Sequence, residues 1–564
     1  MTSSSEAAPN PCSSSGAQTV LDFLASRGDK HVFGVTGSSM VSVFHALDSS
    51  PVAFVPAIHE SAAVAAADGY ARVRGSACVL LYMIQGVANS MANLYNAWCD
   101  ETPLLVLASQ PESSAQTGLG AMIGEGDVIG LASHYTRFGH AVPRGSSLRG
   151  WLERADRIAT GPPGGPVLLA VPEDVLTGPS MPPIDARSPR RVAPGAPALA
   201  EVRHALASAE RPLLVVGGQV QRYGGASALM ELAERLRIPV LLEQGFLDRM
   251  PIPPDHPNCL GWMATSLGRT LEQEADVVLA VGCRLVLEAH APRTERFPTA
   301  TFIAHVNADP AKLEGLTNAH WSCACSPAAF LEELLATTTR SPDPARLARR
   351  GVRLAAARAR AAAVPEDSFT AALHDALDRG WVVDESVSLY GSVLRSLRGG
   401  DGARYLSMSG ASLGWATGAA CGVALASGEP VTCVLGDGAL RFGAQALWTA
   451  KACDLPVSYV VLDNGGFGST RSFERQYVAT LGRSDVRAGY VGSDLRDLGP
   501  PVPELIAGYG IPCETVAADG DVRSALLALW GAKGPNALVI DVGFDAGAWA
   551  QRVKGREATD AGQP

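Results

Sequence analysis

Residues 434–468 read VLGDGALRFGAQALWTAKACDLPVSYVVLDNGGFG. Two apolar runs, each the length of a buried strand, end in small polar residues set among glycines: Asp437 within Gly-Asp-Gly, and Asp463-Asn464 before Gly465-Gly466. The segment between them has helical texture and closes at Leu455-Pro456, so the stretch reads strand, helix, strand, with a crossover long enough for parallel pairing. Polar residues at the carboxyl ends of parallel strands stand where α/β sheets hold their ligands. Glycines there let the backbone approach an anion, and the following helix offers its first amides to phosphate oxygens. Asn464 lies 27 residues after Asp437, so both side chains can meet above one sheet edge. Asp, Asn and a neighbouring carbonyl are hard oxygen donors; with two phosphate oxygens and a water they complete an octahedron suited to Mg2+. Asp463 is the odd member. A second carboxylate facing an anionic ligand adds repulsion, so Asp463 is expected to turn away or cap backbone amides, leaving Asn464 to bind the metal.

The same alternation runs through three blocks, which predicts an α/β protein of three doubly wound parallel-sheet domains. The first spans 18–180, with apolar strands near 31–35, 77–82, 104–108 and 166–171. A Pro- and Arg-rich linker, TGPSMPPIDARSPRRVAPGAP, leads to the second block, 198–340, with strands near 212–216, 239–242, 277–281 and 301–306. An Arg- and Ala-rich connector, 341–367, reads as a solvated linking helix. The third block, 368–545, has strands near 381–384, 431–435, 457–462 and 537–542. Residues 1–17, Ser-, Pro- and Ala-rich without a basic start or apolar stretch, read as a disordered tail, and 546–564 as a second one.

Composition narrows the function. With 564 residues, 47% hydrophobic and 18% charged, the chain has ample apolar surface for several cores. A net charge of -10 without a compensating basic block argues against nucleic acid as a partner. No apolar run approaches the roughly 18 residues of a membrane span. Eleven dispersed cysteines, an odd number without a CxxC, read as free thiols of a reducing cytoplasm. The Cys323-Ala324-Cys325 pair lacks further clustered ligands and reads as core rather than metal site.

The Gly-Asp-Gly and strand-end Asn resemble the signature of the thiamine diphosphate (ThDP) enzymes related to acetolactate synthase, benzoylformate decarboxylase and benzaldehyde lyase. There Gly-Asp-Gly is followed, roughly 25–30 residues on, by paired asparagines. The resemblance implies that Asp437 and Asn464 bind Mg2+ through their side chains and Gly466 through its carbonyl. It also implies cofactor contacts along Gly436, Asp437, Gly438 and Ala439, and along Asn464, Gly466, Phe467 and Gly468. In the first block, PAIHESAAVAAADGYARVRG resembles the pyrimidine-binding segment, with Glu60 as the carboxyl that hydrogen-bonds the aminopyrimidine. The chemistry needs an acid there: a proton shared with the ring favours the imino form, which takes the cofactor's C2 proton. Glu60 read alone is equally a helix-opening residue that favours the dipole. In YLSMSGASLGWATGAACGVALA, Leu413 matches the aliphatic wedge that bends the cofactor and Ala411 the carbonyl that accepts from its amine; Ser388 matches a diphosphate-side position. The blocks become a pyrimidine-binding, a central and a diphosphate- and Mg-binding domain. The family places each cofactor between subunits, which implies a homodimer or homotetramer.

Texture is closest to benzoylformate decarboxylase. Ser38 occupies the position of that enzyme's carboxylate-contacting serine, with a helix N-cap as its alternative role. Tyr82 stands where the first proton-transferring histidine is expected, and His290 near the second. Ser39 replaces a benzaldehyde lyase histidine. Ile123, in place of a glutamine, joins Phe473 and Leu413 as an expected apolar pocket. The resemblance implies a ThDP- and Mg2+-dependent lyase or carboligase: a 2-oxo acid, apolar or aromatic, loses CO2, and the resulting enamine is protonated or trapped by an aldehyde or ketone acceptor as an acyloin. Two alternatives stand beside it: an acetolactate-synthase-like acyltransferase using pyruvate, in which FAD is possible but not expected here, and a catalytically silent ThDP-binding homologue.

Overall fold

The computed structural model describes residues 14–114, 126–180, 199–243, 245, 247–285, 296–313, 319–338, 343–363, 371–397, 402–482, 492–496 and 499–543. Its strands form three parallel six-stranded sheets. The first comprises β1 (His31–Gly34), β2 (Ala53–Pro56), β3 (Ala77–Leu81), β4 (Leu104–Gln110), β5 (Phe138–Ala141) and β6 (Val167–Pro172), in the order β2-β1-β3-β4-β6-β5. The second comprises β7 (Pro212–Val216), β8 (Val240–Leu242), β9 (Cys259–Trp262), β10 (Val277–Val281), β11 (Phe302–Asn307) and β12 (Trp321–Ala324), in the order β12-β11-β10-β7-β8-β9. The third comprises β13 (Trp381–Glu385), β14 (Tyr405–Ser407), β15 (Val431–Gly436), β16 (Val457–Asp463), β17 (Cys513–Ala517) and β18 (Asn536–Asp541), in the order β14-β13-β15-β16-β18-β17. The first and third sheets share one topology, and the second has the order of open dinucleotide-type sheets.

The inner strands form because Val, Leu, Ile and Ala runs covered by helices on both faces bury every side chain; β3, β7 and β10 are buried throughout. The expected strands are the four inner ones of each sheet. All six edge strands go beyond the expectation. They are short or alternate irregularly between buried and exposed positions, because an edge is paired on one side and partly open to water.

The chain divides into two compact units. One holds the first sheet and takes in Thr417–Gly428 and Gln445–Leu455; the other holds the second and third sheets. Within the first unit, the helix Glu60–Arg74 lies almost wholly buried because small residues admit close backbones. A Cβ on Gly69 would stand 2.1 Å from the Ala419 carbonyl, and one on Gly422 1.8 Å from that of Ala66. Its buried Arg72 is matched by two carboxylates, Asp68 at 2.8 Å and Asp100 at 2.6 Å, as a desolvated guanidinium requires.

The connector forms a helix, Pro344–Ala362, opened by Asp343 as N-cap. It is less solvated than expected: Arg350 is buried and donates to the carbonyls of Leu206, Ala209 and Leu236, the ends of two helices of the second domain. The ten described cysteines are free thiols. No described helix is long and apolar enough to cross a membrane.

Candidate active site

In the third sheet the strand order reverses between β13 and β15, since β14 lies outside β13 and β16 beyond β15. Such a switch opens a crevice at the carboxyl ends of the strands. Asp437 follows β15 there and opens the helix Asp437–Gly443; Asn464 follows β16. Asp437 is buried, and its Oδ1 has no hydrogen-bond partner. Burial pushes its carboxyl up to about 7, with repulsion from Asp463 adding and the amides of Asn464 and Gly438 opposing. A buried carboxylate oxygen left unmatched is costly and rare in a native interior, and it fits a site completed by a cation.

The turn after β16 is built around that position. Asp463 Oδ1 accepts from the Gly465 amide at 2.8 Å, so Asp463 caps the turn as expected. Asn464 Oδ1 accepts from the Gly466 amide at 3.2 Å and its Nδ2 donates to Ser388 Oγ at 3.3 Å, bringing the ends of β13 and β16 together. Gly465 and Gly466 have φ of 69° and 150°. A Cβ on Gly466 would stand 2.1 Å from the Ser493 carbonyl and 2.2 Å from Arg471 Nη2, so the position excludes any larger residue. Arg471, buried, donates to the carbonyls of Asn464, Gly465 and Ser493 and holds the turn from behind. The sequence reading missed it, because an Arg seven residues past the signature carries no local signal. Phe467 packs over Gly438, where a Cβ would meet its ring at 2.7 Å, and lies 6.1 Å from the Phe442 ring. Gly468 leaves space beside Ser388 and Asn464; Gly436 and Ala439 flank Asp437 on strand and helix. Among the described residues no cluster of three or more His, Cys, Asp or Glu could hold a metal, so a cation at this crevice would have to draw on Asp437 with amide and carbonyl oxygens.

The loop bearing Ala411 and Leu413 is anchored by a residue that the sequence analysis passed over. Glu385, at the end of β13, accepts from the amides of Gly414 at 2.7 Å and Ala416 at 2.6 Å. Burial pushes its carboxyl up to about 7, opposed by these amides. Ala411 takes a left-handed φ of 58°, which a non-glycine residue holds only when its surroundings impose it. Glu385→Ala should strand two buried amides and cost about 1–3 kcal/mol each. A melting temperature lower than wild type by several degrees, measured on the cofactor-free protein, would bear this out.

The first sheet carries the remaining residues at its own switch, between β1 and β3. Glu60 opens its helix and is half-buried, with Asn89 Nδ2 donating to Oε2 at 3.1 Å. Ser38 begins a short 3-10 helix whose N-cap is Gly37, so it does not act as the cap; its Oγ lies 3.4 Å from the Tyr82 hydroxyl. The Tyr82 ring packs on Gly37, where a Cβ would stand 2.2 Å away. One pocket expectation changes, that for Ser39. Ser39 is 1% exposed and its Oγ donates to Ser109 Oγ at 2.7 Å, since successive residues of a tight helix point apart. Phe473 is 54% exposed on the helix Gly468–Thr480, and Tyr477, one turn on, is exposed as well. Ile123 and His290 lie outside the described residues.

Three family models match in chain order: the thiamine pyrophosphate enzyme N-terminal TPP binding domain over 14–131, the central domain over 199–334 and the C-terminal TPP binding domain over 394–542. A probable 2-ketoarginine decarboxylase of Pseudomonas aeruginosa is 30% identical over 80% of this chain and 83% of its own. The chain belongs to the thiamine pyrophosphate enzyme family. Within the family it is similar to benzoylformate decarboxylase of the same organism, at 27% identity over 80% of this chain and 86% of the relative. It is also similar to acetolactate synthase of Arthrospira platensis, at 25% over 97% of each. Family membership makes the chain a ThDP-dependent enzyme, among relatives that include both decarboxylases and acetolactate synthases.

Proposed function

We propose that this protein is a ThDP- and Mg2+-dependent 2-oxo acid decarboxylase and carboligase acting on an apolar or aromatic substrate. The observation that carries the cofactor reading is the unpartnered, buried Oδ1 of Asp437 at the strand switch. Asp437, Asn464 and the Gly466 carbonyl are the residues that would hold Mg2+ against the diphosphate, with Ser388 beside them. Leu413 and the Ala411 carbonyl would orient the cofactor, and Glu60 would hold a proton at its pyrimidine nitrogen. When bound, ThDP supplies the electron sink that lets a 2-oxo acid lose CO2. The Glu60 and Asp437 segments lie in different domains, so we assign the working unit to a homodimer or homotetramer with the cofactor between subunits.

The Ser38–Tyr82 pair supports the choice of reaction. Ser38 Oγ can donate to a substrate carboxylate, with the Tyr82 hydroxyl beside it. Near neutral pH a phenol is a slower proton shuttle than an imidazole. Slow proton delivery at that position favours capture by a second carbonyl over release of an aldehyde. Incubation with benzoylformate or pyruvate, with and without an acceptor aldehyde, tests the reading: CO2 release from benzoylformate and an acyloin in the presence of acceptor are expected. Tyr82→His should shift products from acyloin towards aldehyde by about 10-fold or more. Absence of CO2 release from any 2-oxo acid would remove the proposal, and marked preference for pyruvate would favour the acetolactate-synthase-like alternative.

A further inference from the structure

A cavity of about 440 Å3 lies at the amino-terminal edge of the second sheet, away from the strand ends that α/β sheets use for ligands. Its floor is the starts of β7 and β8 and the residues just before β10, and the connector helix Pro344–Ala362 forms its far wall. The size falls within the roughly 300–1,000 Å3 of small-molecule sites. The inner surface is apolar, from Leu213, Leu271 and Leu354, and the rim is basic, from Arg211, Arg237, Arg350, Arg353 and Arg360 against Glu210 and Glu274.

The charge is only partly balanced, since Asp276 and Glu210 act on Arg350 without forming an ion pair with it. Glu210 is engaged by Arg346 and Arg349, which do not line the cavity. Arg350 is 2% exposed and donates four hydrogen bonds to backbone carbonyls, one fewer than its five N–H groups can make. Among the described residues, no carboxylate pairs with Arg350, Arg353 or Arg360. In a chain with a net charge of -10, this is a local cationic excess.

Two local departures from helix preferences lie beside it. Arg237 holds a left-handed φ of 53° where glycine is the usual residue, and Gly351 sits inside the continuous connector helix, where glycine is a poor helix former. They lie together: a Cβ on Gly351 would stand 2.7 Å from Arg237 Nη1, which donates to the Leu347 carbonyl at 3.2 Å. The bare position at Gly351 leaves room for the Arg237 guanidinium beneath the helix at the cavity, and local departures from helix preference concentrate at functional sites.

We propose that this cavity binds a small organic carboxylate with an apolar body, its carboxylate on the arginine rim and its body against the leucines. The binding is independent of the ThDP site and of the reaction proposed above. Calorimetric titration of the full-length protein with octanoate is the test, with octanol and inorganic phosphate as controls. Saturable octanoate binding in the micromolar to low-millimolar range is expected, with octanol and phosphate each at least about 10-fold weaker. Arg353→Gln with Arg360→Gln, both at exposed positions, should weaken octanoate about 10-fold or more and leave the melting temperature unchanged. Glu60→Gln should leave octanoate binding intact. Binding that is unaffected by the arginine pair, that is abolished by Glu60→Gln, or that never saturates would overturn the proposal.

Discussion

Asp437→Asn is expected to separate stability from cofactor binding. In the cofactor-free protein the substitution removes a buried carboxylate whose Oδ1 is unmatched. An unpaired buried charge is costly, so the variant should melt at or above the wild-type temperature when no cofactor is present. With ThDP and Mg2+ the order reverses. Ligand at 100 times its dissociation constant stabilises the native state by about 2.7 kcal/mol, and the wild type gains this while the variant does not. The fall in cofactor affinity should exceed the ~10–100-fold typical for loss of an outer-shell partner of a metal. Melting curves with and without ThDP and Mg2+ provide the measurement. A variant that is stabilised by the cofactor as strongly as wild type would show that Asp437 is no ligand.

Glu60→Gln addresses the other half of the chemistry. Glutamine keeps the length, the acceptor for Asn89 and the packing beside Gly86, where a Cβ would stand 3.4 Å from Glu60 Cγ. It loses only the ability to carry and share a proton. Cofactor binding should therefore change little, while turnover falls about 100- to 10,000-fold, the usual contribution of a positioned acid or base. The dipole effect of removing an acidic residue from the first turn is about 0.3–1 kcal/mol, too small to mimic that loss by unfolding. Turnover equal to wild type would falsify the assignment of Glu60.

The residues of the diphosphate side were legible because their chemistry is local. Gly-Asp-Gly and Asp-Asn-Gly-Gly each lie within a few residues at a strand end, and the role of Asp463 followed from charge alone: its Oδ1 caps the Gly465 amide. Arg471 and Glu385 were invisible for the opposite reason. Arg471 acts on carbonyls of the 464–465 turn and Ser493, and Glu385 on amides 29 and 31 residues away, so neither sits in a pattern that spacing reveals. The sequence also does not show which way a side chain turns: Ser39 is buried against Ser109, and Phe473 is exposed on its helix in the single chain.

By itself the sequence determined the fold class, the three repeating α/β blocks and the inner four strands of every sheet, since strands covered on both faces are written as continuous apolar runs. Only the tertiary structure decided the edges. β2, β5, β9, β12, β14 and β17 take their strand form from a neighbour that supplies hydrogen bonds on one side, and their mixed or brief patterns do not announce it. Those edge strands also set the reversals of order that open the crevices, because β2 lies outside β1 and β14 outside β13. A strand end can name its ligand chemistry in a few residues, but which strand ends stand side by side is a property of pairing between segments distant in the chain.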